Sequence, residues 1–248
     1  MRRIGLLVLG SVALSAGIHA APGHPPGSTT TTSAPTTTEP TTTTTTAPPP
    51  PTTIKLAAGT DHTCGLRSDG VAKCWGGNGA GQLGAGAGSP PTAVAATGLA
   101  DVRAISAGNL HTCAFRASGG LACWGSNFAG RLGDGTTSNR STPTNVVGLA
   151  PARSIGGASS RTCAALTDGT VRCWGTGELG DGFSYSGFQP PTPVTGLTDA
   201  TAVELGASWA CALRAAGGAS CWGTNANGQL GDGTTTQRTI PADVIDLP

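Results

Sequence analysis

The residues best able to do chemistry in this chain are eight cysteines, and they fall into four pairs of one spacing. Each pair reads Cys-x9-Cys-Trp-Gly: Cys64 with Cys74, Cys113 with Cys123, Cys163 with Cys173, and Cys211 with Cys221. Metal ligation and disulfide formation compete for such thiols. Structural zinc favours about two to four residues between ligands. A longer hairpin brings only one pair of thiolates together, and no second pair lies nearby in sequence. The disulfide reading follows from hairpin register. Thr63 to Arg67 and Val71 to Trp75 flank Ser68-Asp69-Gly70, a short loop with glycine where left-handed backbone is needed. With Arg67 opposite Val71, Leu66 faces Ala72 and Cys64 faces Cys74. A non-hydrogen-bonded cross-strand pair sets its Cα atoms about 4.5 Å apart, inside the disulfide range of about 4.4–6.8 Å. Ala117-Ser118-Gly119, Thr167-Asp168-Gly169 and Ala215-Ala216-Gly217 repeat the turn. Four disulfides are expected, each within its own unit, and an even cysteine count in an exported chain agrees.

Other reactive side chains give less. His62 and His111 occupy one repeat position, which Arg161 and Trp209 fill in the later units. A recurring residue reads as scaffold, hydrogen-bonded within its own unit. Asp134, Asp181 and Asp232 sit in Gly-Asp-Gly turns. Calcium needs about six to eight oxygens, and each turn offers one carboxylate, so these read as turn formers. Trp75, Trp124, Trp174 and Trp222 recur with the repeat; packing between units explains them better than sugar stacking. There is no nucleophile elbow, phosphate loop or His-Glu-x-x-His. No catalysis, metal or cofactor is expected. Four aromatics break the pattern. Phe183, Tyr185 and Phe188 lie on what reads as an irregular loop, where Trp174 to Asp181 is three residues shorter than the matching stretch of the second unit. Trp209 is the fourth. Aromatics on loops serve as recognition anchors, and these are the candidate partner-binding residues; the competing reading is that they fill the gap left by the deletion.

The elements that position these residues are written four times. First cysteines are spaced 49, 50 and 48 residues apart. Gly81-Gln82-Leu83-Gly84 recurs as Gly130-Arg131-Leu132-Gly133 and Gly228-Gln229-Leu230-Gly231. Periods of about 40–50 residues mark propellers or repeat arrays. Composition agrees: 40 glycines and 18 prolines in 248 residues, with charged residues only 11%, exclude a mostly helical fold. Net charge is +1, and without Arg2 and Arg3 there are 12 basic against 13 acidic residues. Such a chain lacks the basic field that holds nucleic acid or anionic lipid.

Residues 1–20 have the layout of a cleaved secretory signal: basic Met1-Arg2-Arg3, an apolar run from Ile4 to Ala16, and Ile18-His19-Ala20 before Ala21. The apolar run is shorter than the ~20 residues of a membrane span, so no span is expected after cleavage. Residues 21–53 read as a disordered Thr/Pro-rich linker that resembles a surface stalk, with or without O-glycans. Residues 54–248 hold four repeats, at about 54–100, 101–150, 151–199 and 200–248. The address is secreted, extracellular or cell-surface.

The unit resembles the repeat of the regulator of chromosome condensation family. The resembling residues are Ala58-Gly59-x-x-His62, Leu66, Asp69-Gly70, Cys74-Trp75-Gly76, Asn78, Gly81-Gln82-Leu83-Gly84 and their copies. The resemblance implies an all-β, β-propeller-like array of four blades with loops exposed at the ends. Family propellers commonly have seven blades. A closed four-bladed ring, an open arc, and a ring completed by another copy are all open, with closure or assembly favoured over a bare arc because an arc leaves bare faces. Terminal capping units are missing. The resemblance does not imply one function; end faces that present many loops on a rigid body support protein–protein binding. The expectation is a non-catalytic, inhibitor-like protein-binding module. The alternatives are an extracellular carbohydrate or cell-wall lectin, and a guanine-nucleotide exchange factor by family analogy, against which export argues.

Overall fold

Among residues 49–247, which the computed structural model describes, sixteen strands form four separate sheets. The expected signal and residues 21–48 of the linker lie outside the described residues. Each sheet is one antiparallel meander in chain order. Blade 1 holds β1 (Thr53–Ala58), β2 (His62–Arg67), β3 (Ala72–Gly76) and β4 (Val94–Ala95). Blade 2 holds β5 (Val102–Ala107), β6 (His111–Arg116), β7 (Leu121–Gly125) and β8 (Arg140–Asn145). Blade 3 holds β9 (Ala152–Gly157), β10 (Arg161–Leu166), β11 (Val171–Glu178) and β12 (Ser184–Pro193). Blade 4 holds β13 (Ala200–Leu205), β14 (Trp209–Arg214), β15 (Ala219–Gly223) and β16 (Arg238–Asp243). The architecture is the expected all-β, four-bladed propeller arrangement.

The β2–β3 hairpin shows why glycine closes its turn. Gly70 has φ +80°, and an added Cβ would meet the Ala100 carbonyl oxygen at 2.8 Å. Register then follows: Leu66 pairs with Ala72 and Cys64 with Cys74. Cys113 pairs with Cys123, Cys163 with Cys173, and Cys211 with Cys221. All four pairs are disulfides, with Cα separations of 4.0–4.1 Å, slightly tighter than anticipated. No free cysteine remains among the described residues.

Strand alternation gives each blade two apolar faces. Cys64, Leu66, Ala72 and Cys74 of blade 1 pack against Val102, Ile105 and Trp124 of blade 2. Cys113, Leu121 and Cys123 meet Ile155 and Trp174 of blade 3. Cys163, Val171 and Cys173 meet Val203 and Trp222 of blade 4. Each core is therefore an interface between blades, with a disulfide in its wall. Packing of this kind does not join blade 4 to blade 1. The position filled by Ile105, Ile155 and Val203, which are 1%, 4% and 1% exposed, is Leu56 in blade 1, which is 62% exposed. Leu66 is 1% exposed, while its blade 4 equivalent, Leu213, is 52% exposed. Of the three arrangements left open by the sequence, the four described blades form an open arc, with the outer faces of blades 1 and 4 unpacked against each other.

Candidate protein-binding surface

The histidines belong to the seams between blades. At the first seam, Trp124 Nε1 and Thr112 Oγ1 both donate to the Gln82 carbonyl, each at 2.9 Å. The Thr112 hydroxyl proton is thus committed, so His62 Nε2–H donates to Thr112 Oγ1, at 2.8 Å. The second seam repeats this: Trp174 Nε1 and Thr162 Oγ1 donate to the Arg131 carbonyl, and His111 Nε2 donates to Thr162 Oγ1 at 3.0 Å. These bonds cross to the next blade; the expectation of a bond within one unit is corrected. The reason is alternation, which turns the histidine towards the neighbouring blade on the same face as the disulfide. Burial lowers the His62 pKa, with Asp61 opposing it. Burial first, then the Arg131 charge and His62, push His111 down to about 3. Both rings are neutral at pH 7.

The third seam is different. Gly177-Glu178-Leu179-Gly180 is the unit-three copy of the Gly-x-Leu-Gly segment, a match hidden in the sequence by the three-residue deletion. Arg161 replaces the histidine, and its Nη1 donates directly to the Glu178 carbonyl at 2.8 Å. Ala210 stands where the earlier seams have threonine. The Trp222 indole N–H is buried without a hydrogen-bond partner.

The same deletion shapes the aromatic site. Phe183 to Phe188 was expected as an irregular loop; instead β11 runs on to Glu178 and β12 returns beside it, pairing Gly177 with Tyr185 and Glu178 with Ser184. A shorter excursion leaves the two chain directions close enough to pair. Phe183 stands 64% exposed at the start of this edge. Its ring centroid lies 6.2 Å from that of Tyr185, tilted by 50°. Asp181 fixes both: its Oδ1 accepts from the Phe183 N–H at 3.2 Å and its Oδ2 from the Tyr185 hydroxyl at 2.6 Å. That hydrogen bond raises the Tyr185 pKa. Phe188 covers Gly130 so closely that no Cβ fits there. It thereby docks β12 on the short 3₁₀ turn Phe128–Gly130 of blade 2.

That turn presents Phe128, 71% exposed, with the Arg131 guanidinium 5.6 Å from its ring centroid. Phe128 went unnoticed in the sequence. Its signal is an aromatic where other units carry Gly79 and Ala226. Trp209 is half-buried over Gly206 at the start of β14 and makes no ring contact with the other aromatics among the described residues. The structure thus brings together Phe183 and Tyr185, anchors Phe188 beside Phe128, and sets Trp209 on a different element.

The aspartate turns are polar hubs. Asp134 Oδ1 accepts from Asn127 Nδ2 and from the Thr136 N–H and hydroxyl, and its Oδ2 accepts from Arg140 Nε at 2.7 Å. Burial would raise its pKa, but these bonds, led by Arg140, hold it below the usual carboxylate value. Asp232 repeats the hub with Thr234, Arg238 and Asn225, and Thr234 then Arg238 depress it further. Among the described residues, no three His, Cys, Asp or Glu side chains converge as a metal set would.

The model of the "Regulator of chromosome condensation (RCC1) repeat" matches residues 54–82 and 102–131, and a second model of that description matches 118–165. The matched segments are RCC1 repeats, and the four-bladed fold is the propeller arrangement that supports that family. Human WBSCR16 superposes with a TM-score of 0.69 at 25% identity, over 77% of this chain and 52% of that one. Yeast RCC1 (Prp20) bound to Kap60 superposes at 0.67 and 21%, over 80% and 50%. Prp20p from Saccharomyces cerevisiae, described together with its binding properties to Gsp1p and histones, gives 0.67 and 20%, over 80% and 51%. At such identity the yeast structures show the fold alone. The RCC1-repeat chain spans about half the length of these relatives. No curated protein matches it.

Proposed function

We propose that this RCC1-repeat chain is a secreted or cell-surface, non-catalytic protein-binding module of inhibitor-like type, held out by the Thr/Pro-rich stretch that precedes β1 as a stalk after cleavage of residues 1–20. The observation that carries the reading is the aromatic edge of blades 2 and 3. Phe128 and Phe183 are exposed rings on backbone held rigid by strand pairing, an aspartate hub and Phe188 docking. Rigid aromatics bind at low entropic cost and dominate interface energies. Four disulfides suit an oxidising compartment. No helix of the described residues is long and apolar enough to cross a membrane.

The test is affinity capture from the extracellular and surface proteins of the producing cells. A partner recovered by the wild-type chain is expected to be lost with Phe183→Ala or Phe128→Ala. Capture unchanged by both substitutions refutes the assignment of the surface. Binding to a glycan array abolished by Trp209→Ala would install the lectin reading in its place, and nucleotide exchange by the exported chain the exchange-factor reading.

A further inference from the structure

The two ends of the arc carry the two halves of an interface that the chain already forms three times. The face of blade 1 that packs against no other blade among the described residues presents Leu56, Thr63 and Trp75. These are the equivalents of Ile105, Thr112 and Trp124, which are buried at the first seam. Trp75 is 37% exposed, whereas Trp124, Trp174 and Trp222 are 0% exposed. Nothing in the described residues accepts from its indole N–H or from the Thr63 hydroxyl. The free face of blade 4 presents the complement. Leu213 stands where Leu66 does, the Cys211–Cys221 bridge where Cys64–Cys74 does, and the Gln229 carbonyl where Gln82 does. Cys211 is half-buried, while Cys64, Cys113 and Cys163 are fully buried.

Repeat arrays that end in solvent carry polar capping units. The outer faces of blades 1 and 4 are not polar in that way; blade 1 keeps the apolar side chain, the hydroxyl and the indole that fit the face of another blade. The Gly228-Gln229-Leu230-Gly231 segment is intact, with Leu230 fully buried and its amide held by Asn225 Oδ1 at 3.0 Å. Its carbonyl is therefore as well placed as that of Gln82, whose segment Asn78 holds in the same way, at 2.9 Å.

We propose that a second copy of the chain docks head to tail, its blade 1 seated on blade 4 of the first. Leu56 meets Leu213, and Thr63 and Trp75 donate to the Gln229 carbonyl, as Thr112 and Trp124 do to Gln82. The contact is heterologous, joining different faces of two identical molecules. It is independent of the partner-binding reading, because the aromatic edge plays no part in it.

Sedimentation velocity of the full exported chain over about 1–100 µM tests it, the range in which mass action moves a modest interface. The wild type is expected to associate as concentration rises. Leu56→Asp and Leu213→Asp each leave one face intact, and each alone raises the dissociation constant about tenfold or more. An equal mixture of the two restores one good interface, and the mixture stops at two copies. Both side chains are already solvent-exposed, so far-ultraviolet circular dichroism and an unchanged four-disulfide mass are expected for each variant. If Leu56→Asp fails that check, Trp75→Lys takes its place. A wild type monomeric throughout overturns the proposal, as does association that survives both substitutions. Loss in only one variant, the sign of a face pairing with itself, also overturns it, and so does a mixture that stays monomeric.

Discussion

Lowering the pH from 7 to 5 is expected to weaken the fold, and His111 sets the size of the effect. Its ring is fully buried in the second seam, and its pKa falls from 6.5 to about 3 through burial, the Arg131 charge and His62. The unfolded chain protonates this histidine near its ordinary value. The folded chain does not until far lower pH. A base with a depressed folded pKa gives stability that is complete above the unfolded pKa and is lost as pH falls. At pH 5 the unfolded histidine sits about 1.5 units below its midpoint while the folded one is still neutral. At about 1.4 kcal/mol per unit, the loss is about 2 kcal/mol. With a urea slope of about 2 kcal/mol/M, the midpoint drops by about 1 M. Urea unfolding of the wild type and of His111→Gln at both pH values is the assay. The glutamine variant starts less stable but loses about 2 kcal/mol less on acidification; His62, also lowered by burial, accounts for what remains. Equal pH slopes for the two proteins would refute the argument, as would a native His111 ring titrating near its ordinary value by NMR.

Replacing seam tryptophans by phenylalanine should separate the seams. Trp124→Phe loses a buried hydrogen bond to Gln82, whereas Trp222→Phe loses none, so urea midpoints should show Trp124→Phe costlier by about 1 kcal/mol. Limiting reductant followed by alkylation and peptide mass spectrometry should open Cys211–Cys221 first, because only its wall of the arc is bare; simultaneous opening of all four bridges would contradict the solvent-access argument. Asp134→Asn is expected to cost about 1–3 kcal/mol at neutral pH by weakening the hub. An acid with a depressed folded pKa stabilises above its unfolded value of 3.8 and loses that contribution as pH falls through the folded one. The cost of the substitution, measured by denaturation, should therefore shrink below about pH 4.

Much of the blade was legible in the sequence because it rests on local rules. Turn glycines at fixed offsets set the hairpin register, and register set the disulfides; Gly70 and Cys64–Cys74 needed no tertiary information. The seams were only half legible. Trp124 was read correctly as packing between units, but His62 was assigned to its own unit. Which face of a strand meets which neighbour depends on the order of blades in space, and alternation alone does not give that. Whether the array closes was not legible either, since the angle between blades emerges from side chains such as Ile105 and Trp124 meeting across a seam. Phe128 was passed over because it sits inside an otherwise regular repeat; comparison with Gly79 and Ala226 was the available signal.

The deletion in unit three connects the third seam to the candidate binding edge. Removing three residues let β11 and β12 pair up to Glu178 and Ser184, which puts Tyr185 on a strand and Phe183 immediately before it. The same shortening goes with Arg161 in the histidine position, and its guanidinium takes the carbonyl that a tryptophan N–H holds at the other seams. A buried cation now faces Glu178, whose Oε1 also accepts from Ser184 on β12 and from Gln237 of blade 4. One carboxylate thus ties the aromatic strand to two blades. Its loss would leave the Arg161 charge buried and uncompensated, which costs several kcal/mol, and would release β12 at the end that carries Phe183. Glu178→Gln should therefore lower thermal stability and weaken partner capture together, whereas Phe183→Ala should weaken capture alone. A Glu178→Gln protein as stable as wild type would mean that the edge is held without this carboxylate.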